Sequence, residues 1–105
     1  MILVTSDEVA GRSIQAVLGL VRGNAVRSRH VGRDLMAELK NLVGGEIEEY
    51  TKLLAESREQ ALDRMVADAR AKGADAIVAL RFSSSEISRR SAEILVYGTA
   101  VRLAP

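Results

Sequence analysis

Arginine supplies most of the charged chemistry in this 105-residue chain, and its densest cluster runs from Arg22 to Arg33 (RGNAVRSRHVGR). That stretch holds Arg22, Arg27, Arg29, His30 and Arg33 and leads toward a helix N-terminus. Unpaired backbone N–H groups and the helix dipole favour an anion there. Guanidinium forks add a bidentate grip on a phosphate or carboxylate. Arg27, Arg29 and Arg33 are therefore the candidate ligand- or anion-binding residues. The competing reading is a solvated turn whose arginines pair with Asp34, Glu38 and the acids of the following helix. Neither a phosphate-binding loop pattern nor a dinucleotide fingerprint accompanies the cluster.

Metal and catalytic chemistry have less to work with. There is no cysteine, so disulfides, thiolate metal sites and cysteine nucleophiles are excluded. The single histidine, His30, shares a helix face with Asp34, but zinc asks for three or four protein ligands. Glu46, Glu48 and Glu49 offer carboxylates to a hard cation, and they equally suit the first turn of a helix, where the macrodipole favours negative charge. Arg89-Arg90 reads as a solvated hairpin turn, and Tyr50 and Tyr97 as core or interface packing. No serine sits in a nucleophile elbow. No catalytic residue, metal ligand or cofactor is nominated, although carboxylate acid–base chemistry leaves no local signature.

Composition bounds the partners. Apolar residues make up 48% and charged residues 28%, the balance of one compact domain spanning residues 1–105. The net charge of +1 and the three aromatic residues (Phe82, Tyr50, Tyr97) argue against a nucleic-acid partner. The N-terminus, MILVTSDEV, has no signal-peptide pattern, and no apolar run approaches bilayer length. The expectation is a cytoplasmic protein without a membrane partner.

The elements that must position these residues follow from periodicity. Strands are predicted over Ile2–Thr5, Ser13–Arg22, Ala76–Ser83 and Glu93–Leu103. Val31, Leu35, Leu39 and Leu42 step by three and four and predict a helix over His30–Val43, stopped at Gly44-Gly45. A longer helix is predicted over Glu46–Lys72, with Ile47, Tyr50, Leu54, Ala61, Met65 and Ala69 on one stripe and Gly73 as its C-terminal cap. The polar stretch SSEISRRSA separates the last two strands as a hairpin. The order β-β-α-α-β-β describes a two-layer α/β (α+β) unit, a long crossover helix on a small, mainly antiparallel sheet.

Both faces of the strands are apolar: Val96, Gly98 and Ala100 alternate with Leu95, Tyr97, Thr99 and Val101. One helix covers one face, and monomers rarely expose apolar patches beyond a few hundred Å². A homo-oligomer is expected, with the first helix covering part of the second face and a neighbouring subunit the rest.

Several blocks then carry a resemblance that spans nearly the whole chain. Leu18-Gly19, Val21, Gly23 and Arg33-Asp34 come first. Val43-Gly44-Gly45-Glu46, Tyr50, Arg58, Ala61, Met65, Ala69 and Gly73-Ala74-Asp75-Ala76 follow, and Tyr97-Gly98-Thr99-Ala100-Val101 closes the series. In this order they resemble the YbjQ family of small prokaryotic proteins. The resemblance implies a dodecin-subunit-like fold with the first strand beside the last. It also implies a closed ring, usually a pentamer, and a heavy-metal-binding label for which this chain has few soft ligands. It implies no catalytic or binding residues.

The reading that results is a homo-oligomer, a non-catalytic ring that binds a small ligand or anion between subunits. Its alternatives are a divalent-metal-binding protein and an enzyme with an inter-subunit carboxylate site.

Overall fold

The structure, a computed structural model, describes residues 1–28, 45–88 and 91–105. The helix expected over His30–Val43 lies outside these residues, as do Arg29, His30, Arg33, Asp34, Glu38, Arg89 and Arg90. The described elements are β1 (Ile2–Leu3), β2 (Ile14–Ser28), α1 (Gly45–Ala71), β3 (Ala76–Ser88) and β4 (Ser91–Leu103). They form a mixed α+β fold with a four-stranded sheet in the order β1-β3-β4-β2 and one described helix. β2 and β3 both run antiparallel to β4, and β1 alone is parallel, pairing Ile2 with Ala76 and Leu3 with Ile77. β2 thus lies beside β4, the last strand, while β1 lies beside β3.

Several strand boundaries are corrected, and β1 ends at Leu3 rather than Thr5. β2 runs on past Arg22 to Ser28, so half of the basic stretch is strand rather than turn. β3 continues through Ser83–Ser88, and β4 starts at Ser91 instead of Glu93. The polar residues there stay in the ladder because strand pairing is a main-chain interaction. Ser84 opposes Ile94, Ser85 opposes Glu93 and Ser88 opposes Ser91. A 15-residue strand at about 3.3 Å per residue gives the molecule its long dimension of 57 Å.

α1 forms where its apolar stripe was expected. Ala61, Met65 and Ala69, each four residues on from the last, are fully buried, flanked by half-buried Leu54, Leu62 and Val66. The helix ends in a Schellman motif: Gly73 N–H donates to the Arg70 carbonyl, and Ala74 N–H to that of Ala69. Gly73 has φ +78°, which glycine adopts without a Cβ penalty. Asp75 then ties this corner to the end of β4, since its carboxylate accepts the Leu103 N–H at 2.8 Å.

The stripe packs against Val21 and Ala25 of β2 and Ile94, Val96 and Ala100 of β4. Gly23 makes this packing possible. A Cβ there would lie 2.1 Å from the Ala61 carbonyl oxygen and 2.5 Å from the Met65 nitrogen. Both are helix backbone atoms and cannot step aside. Gly98 is required for a different reason. A Cβ there would meet Ile77 and the Val78 carbonyl of the neighbouring strand.

Among the described residues, the opposite face is covered at one end only. Ala76, Val78, Val101 and Leu103 are buried there beneath Ile2, Val4, Val9 and Ile14. The N-terminal segment, rather than only a helix or a second subunit, thus covers part of this face. It is anchored along β3 by Val4 N–H to the Ile77 carbonyl and Leu80 N–H to the Val4 carbonyl.

Gly23→Ala is expected to destabilise the subunit by about 2–3 kcal/mol through overpacking. Thermal or urea unfolding of the variant checks this, and an unchanged transition would show that α1 does not need the contact.

Candidate ligand-binding and interaction surface

Of the three arginines expected to bind an anion, Arg27 lies within the described residues, and Arg29 and Arg33 do not. Arg27 is near the end of β2, and the helix expected beyond it lies outside the described residues. Its Nε donates to Ser57 Oγ at 2.9 Å, and that hydroxyl donates to the Leu53 carbonyl one turn back, also at 2.9 Å. Ser57 is fully buried, the only buried polar side chain among the described residues. It sits four residues before Ala61 on the helix stripe, so the polar pair replaces an apolar contact where α1 crosses the end of β2. A buried hydroxyl with both a donor and an acceptor partner is satisfied.

The surroundings of Arg27 are of mixed charge. It lines a shallow groove with Lys52 on one side and Glu56, Glu59 and Asp63 along the solvent side of α1. Two cations against three carboxylates make this groove on its own a weak place for an anion.

α1 also closes part of the free edge of β2. Arg64 Nη1 donates to the Asn24 carbonyl at 2.6 Å. The Arg22 N–H donates to the Asp68 carboxylate, which also receives Lys72 Nζ at 2.7 Å. Main-chain groups of an edge strand invite another strand, and side chains that occupy them block it. The hydrogen bond from Lys72 and the Arg22 N–H hold the Asp68 carboxyl below its usual value of 3.8, against a smaller opposing effect of burial. None of these contacts was apparent in the sequence. Their only trace there is the spacing of Arg64, Asp68 and Lys72 at four-residue steps.

The face turned away from α1 is apolar beyond the reach of the N-terminal segment. Register places Val17, Leu20, Arg22, Asn24 and Val26 of β2 on the same face as Tyr97 and Leu95 of β4. Val17 is 68% exposed, Leu20 62%, Val26 50% and Tyr97 38%. Tyr97 therefore belongs to a surface rather than the core of the subunit. On the helix side, a cleft of about 560 Å³ opens between α1 and the β3–β4 hairpin, walled by Leu54 and Arg58 and floored by Phe82, Ala92 and Ile94. Neither Arg58 nor Phe82 stood out in the sequence as a ligand-facing residue.

The glycines and the helix seam just described match a known family. Residues 1–104 match the model of the YbjQ family, whose description reads "Putative heavy-metal-binding". The chain belongs to this family. Among its YbjQ relatives, a UPF0145 protein from Photobacterium profundum is 55% identical over 103 residues, covering 98% of this chain and all of that protein. A UPF0145 protein from Methanoculleus marisnigri is 54% identical over 105 residues, covering 100% of this chain and 98% of its own. The crystal structure of a protein of unknown function of the DUF74 family from Pediococcus pentosaceus superposes with a TM-score of 0.66. It covers 99% of this chain and 98% of its own at 17% identity, a likeness of fold.

The resemblance expected from the GGE, GADA and YGTAV blocks is thus confirmed. Among the described residues, no group of three or more His, Cys, Asp and Glu side chains is arranged to hold a metal ion. The side chains of Glu46, Glu48 and Glu49 lie outside that description. No helix among the described residues is long and apolar enough to cross a membrane.

The lowered Asp68 value fixes the sign of a pH effect. A carboxyl with a depressed native pKa stabilises the fold above its unfolded value and loses that contribution as pH falls through the native value. Below about pH 4, Asp68→Asn is expected to lose less stability than the parent chain, by about 0.5 kcal/mol. Melting temperatures measured from pH 6 to pH 2 for both proteins check this.

Proposed function

We propose that this protein is the subunit of a cytoplasmic, dodecin-like homo-oligomeric ring, a pentamer, that binds a small ligand or anion between its subunits without catalysis. The observation that carries this reading is the exposed apolar strip of Val17, Leu20, Val26 and Tyr97 on the sheet face away from α1. An isolated subunit that exposes such a strip is poorly covered. Its accessible surface is 6828 Å², against about 5,700 Å² expected for a compact monomer of this mass.

Ring closure needs two different surfaces on each copy, joined head to tail. The sheet offers two unlike edges. One is the outer side of β2 clear of Arg22 and Asn24, whose main-chain groups α1 occupies; the other is β3 beyond Leu80, where the bonds to the N-terminal segment have ended. An interface built there brings the arginines at the end of β2 close to a neighbouring copy. Arg27, Arg29 and Arg33 are the residues proposed to hold the anion, and the neighbour has to offset the carboxylates around Arg27.

Divalent-metal binding is the second reading, supported by the family's description. Metal analysis of untagged protein tests it, and the absence of stoichiometric metal would remove it.

Native mass spectrometry of untagged protein is expected to show one closed oligomer, with reproducible extra mass if a ligand co-purifies. Leu20→Asp is expected to dissociate it to folded monomers, because Leu20 is exposed within the subunit. A monomeric parent protein, or an unchanged oligomer in Leu20→Asp, would overturn this assignment of the apolar face.

A further inference from the structure

We propose that the cleft between α1 and the β3–β4 hairpin binds a small organic monocarboxylate, with the carboxylate on Arg58 and the apolar body against Phe82. This inference rests on the ligand-binding reading and assigns that reading a second site and a ligand class.

The cleft exists because α1 is seated off centre. It packs on β2 and, over a shorter span, on β4, so that among the described residues α1 does not cover the helix-side face of β3 beyond Leu80. Phe82, Ser84 and Glu86 oppose Val96, Ile94 and Ala92 in the ladder, so they share the face on which α1 lies. Phe82 opposes a fully buried valine yet is itself 45% exposed. Its ring, with Leu54, Ala92 and Ile94, makes an apolar floor. The volume of about 560 Å³ is that of a small-molecule site.

The polar groups select the ligand. Arg58 stands on the helix wall, and among the described residues its guanidinium has no hydrogen-bond or ion-pair partner. A carboxylate matches its planar fork. Ser84 lines the same cleft on the helix face of β3, and its hydroxyl can donate to that carboxylate. Glu86 lines it as well and already has an interaction of its own. Its negative charge penalises a dianion more than a monoanion, which separates a carboxylate ligand from phosphate. The site is also distinct from the groove at Arg27. Leu54 and Arg58 wall the cleft, whereas Lys52, Glu56, Glu59 and Asp63 line the groove on another side of α1.

Isothermal titration of the untagged oligomer with phenylacetate, 4-phenylbutyrate and hexanoate tests the proposal, with 2-phenylacetamide as the neutral isostere and inorganic phosphate as the dianion. At least one acid is expected to bind, and the amide at least about tenfold more weakly than phenylacetate. Arg58→Gln should weaken the acid at least tenfold without moving the melting temperature, Phe82→Ser should weaken it too, and Lys52→Gln, in the other groove, should change it less than twofold. Equal binding by the parent and Arg58→Gln, or of phenylacetate and its amide, would overturn the proposal. If phosphate alone binds and Arg27→Gln abolishes it, this cleft is wrong and the arginine-cluster reading survives. If no probe binds to an intact oligomer, the monocarboxylate site and the anion reading fall together.

Discussion

The contact between α1 and β2 at Gly23 is the constraint on which the rest of the structure depends. Helix and strand meet there backbone to backbone, because a Cβ would have to occupy the space of the Ala61 carbonyl and the Met65 nitrogen. Small residues continue the seam, with Ala25 on the strand and Ala61 and Ala69 on the helix, all fully buried. Close approach fixes the helix over β2 rather than over the middle of the sheet. From that position Arg64 and Asp68 reach the outer main-chain groups of Asn24 and Arg22, and Ser57 meets Arg27.

The same placement decides what remains uncovered. Among the described residues, a helix over one side of the sheet leaves Phe82 and Ser84 uncovered on the helix face. The N-terminal segment reaches only one end of the other face, where Ile2, Val4 and Val9 cover Val78 and Val101. Val17, Leu20, Val26 and Tyr97 lie beyond it. The two open regions differ in chemistry. The far face is an apolar strip suited to another copy of the chain, whereas the cleft combines an apolar floor with an unpaired guanidinium and a hydroxyl. This difference separates the proposed assembly surface from the proposed ligand surface.

The long arms of the sheet explain why the candidate sites are not built from core residues. Past Val26 on β2 and past Phe82 on β3, the strands persist on main-chain pairing while most of their side chains become polar. Such segments present arginines, serines and Glu86 on a rigid ladder, which holds side chains more firmly than a loop does. The anchor for β2 is the buried Ser57 hydroxyl, a polar group in the one gap of the helix stripe.

The sequence by itself determined the elements whose signal is local. The period of Leu54, Ala61, Met65 and Ala69 marked α1, Gly73 marked its end, and the alternating β-branched residues marked the strand cores. The two-sided apolar pattern of β4 also showed that one helix is too little cover, and the GGE, GADA and YGTAV blocks identified the family. Only the tertiary structure decided where β2 and β3 end, because strand pairing depends on a partner's backbone and not on side-chain period. It alone assigned the close approach to Gly23, moved Arg27 onto a strand beside Ser57, and brought Arg58 and Phe82 into one cleft. Those pairings join residues 24 to 38 positions apart, and their proximity follows from where the helix settles on the sheet, a property of packing that no local spacing encodes.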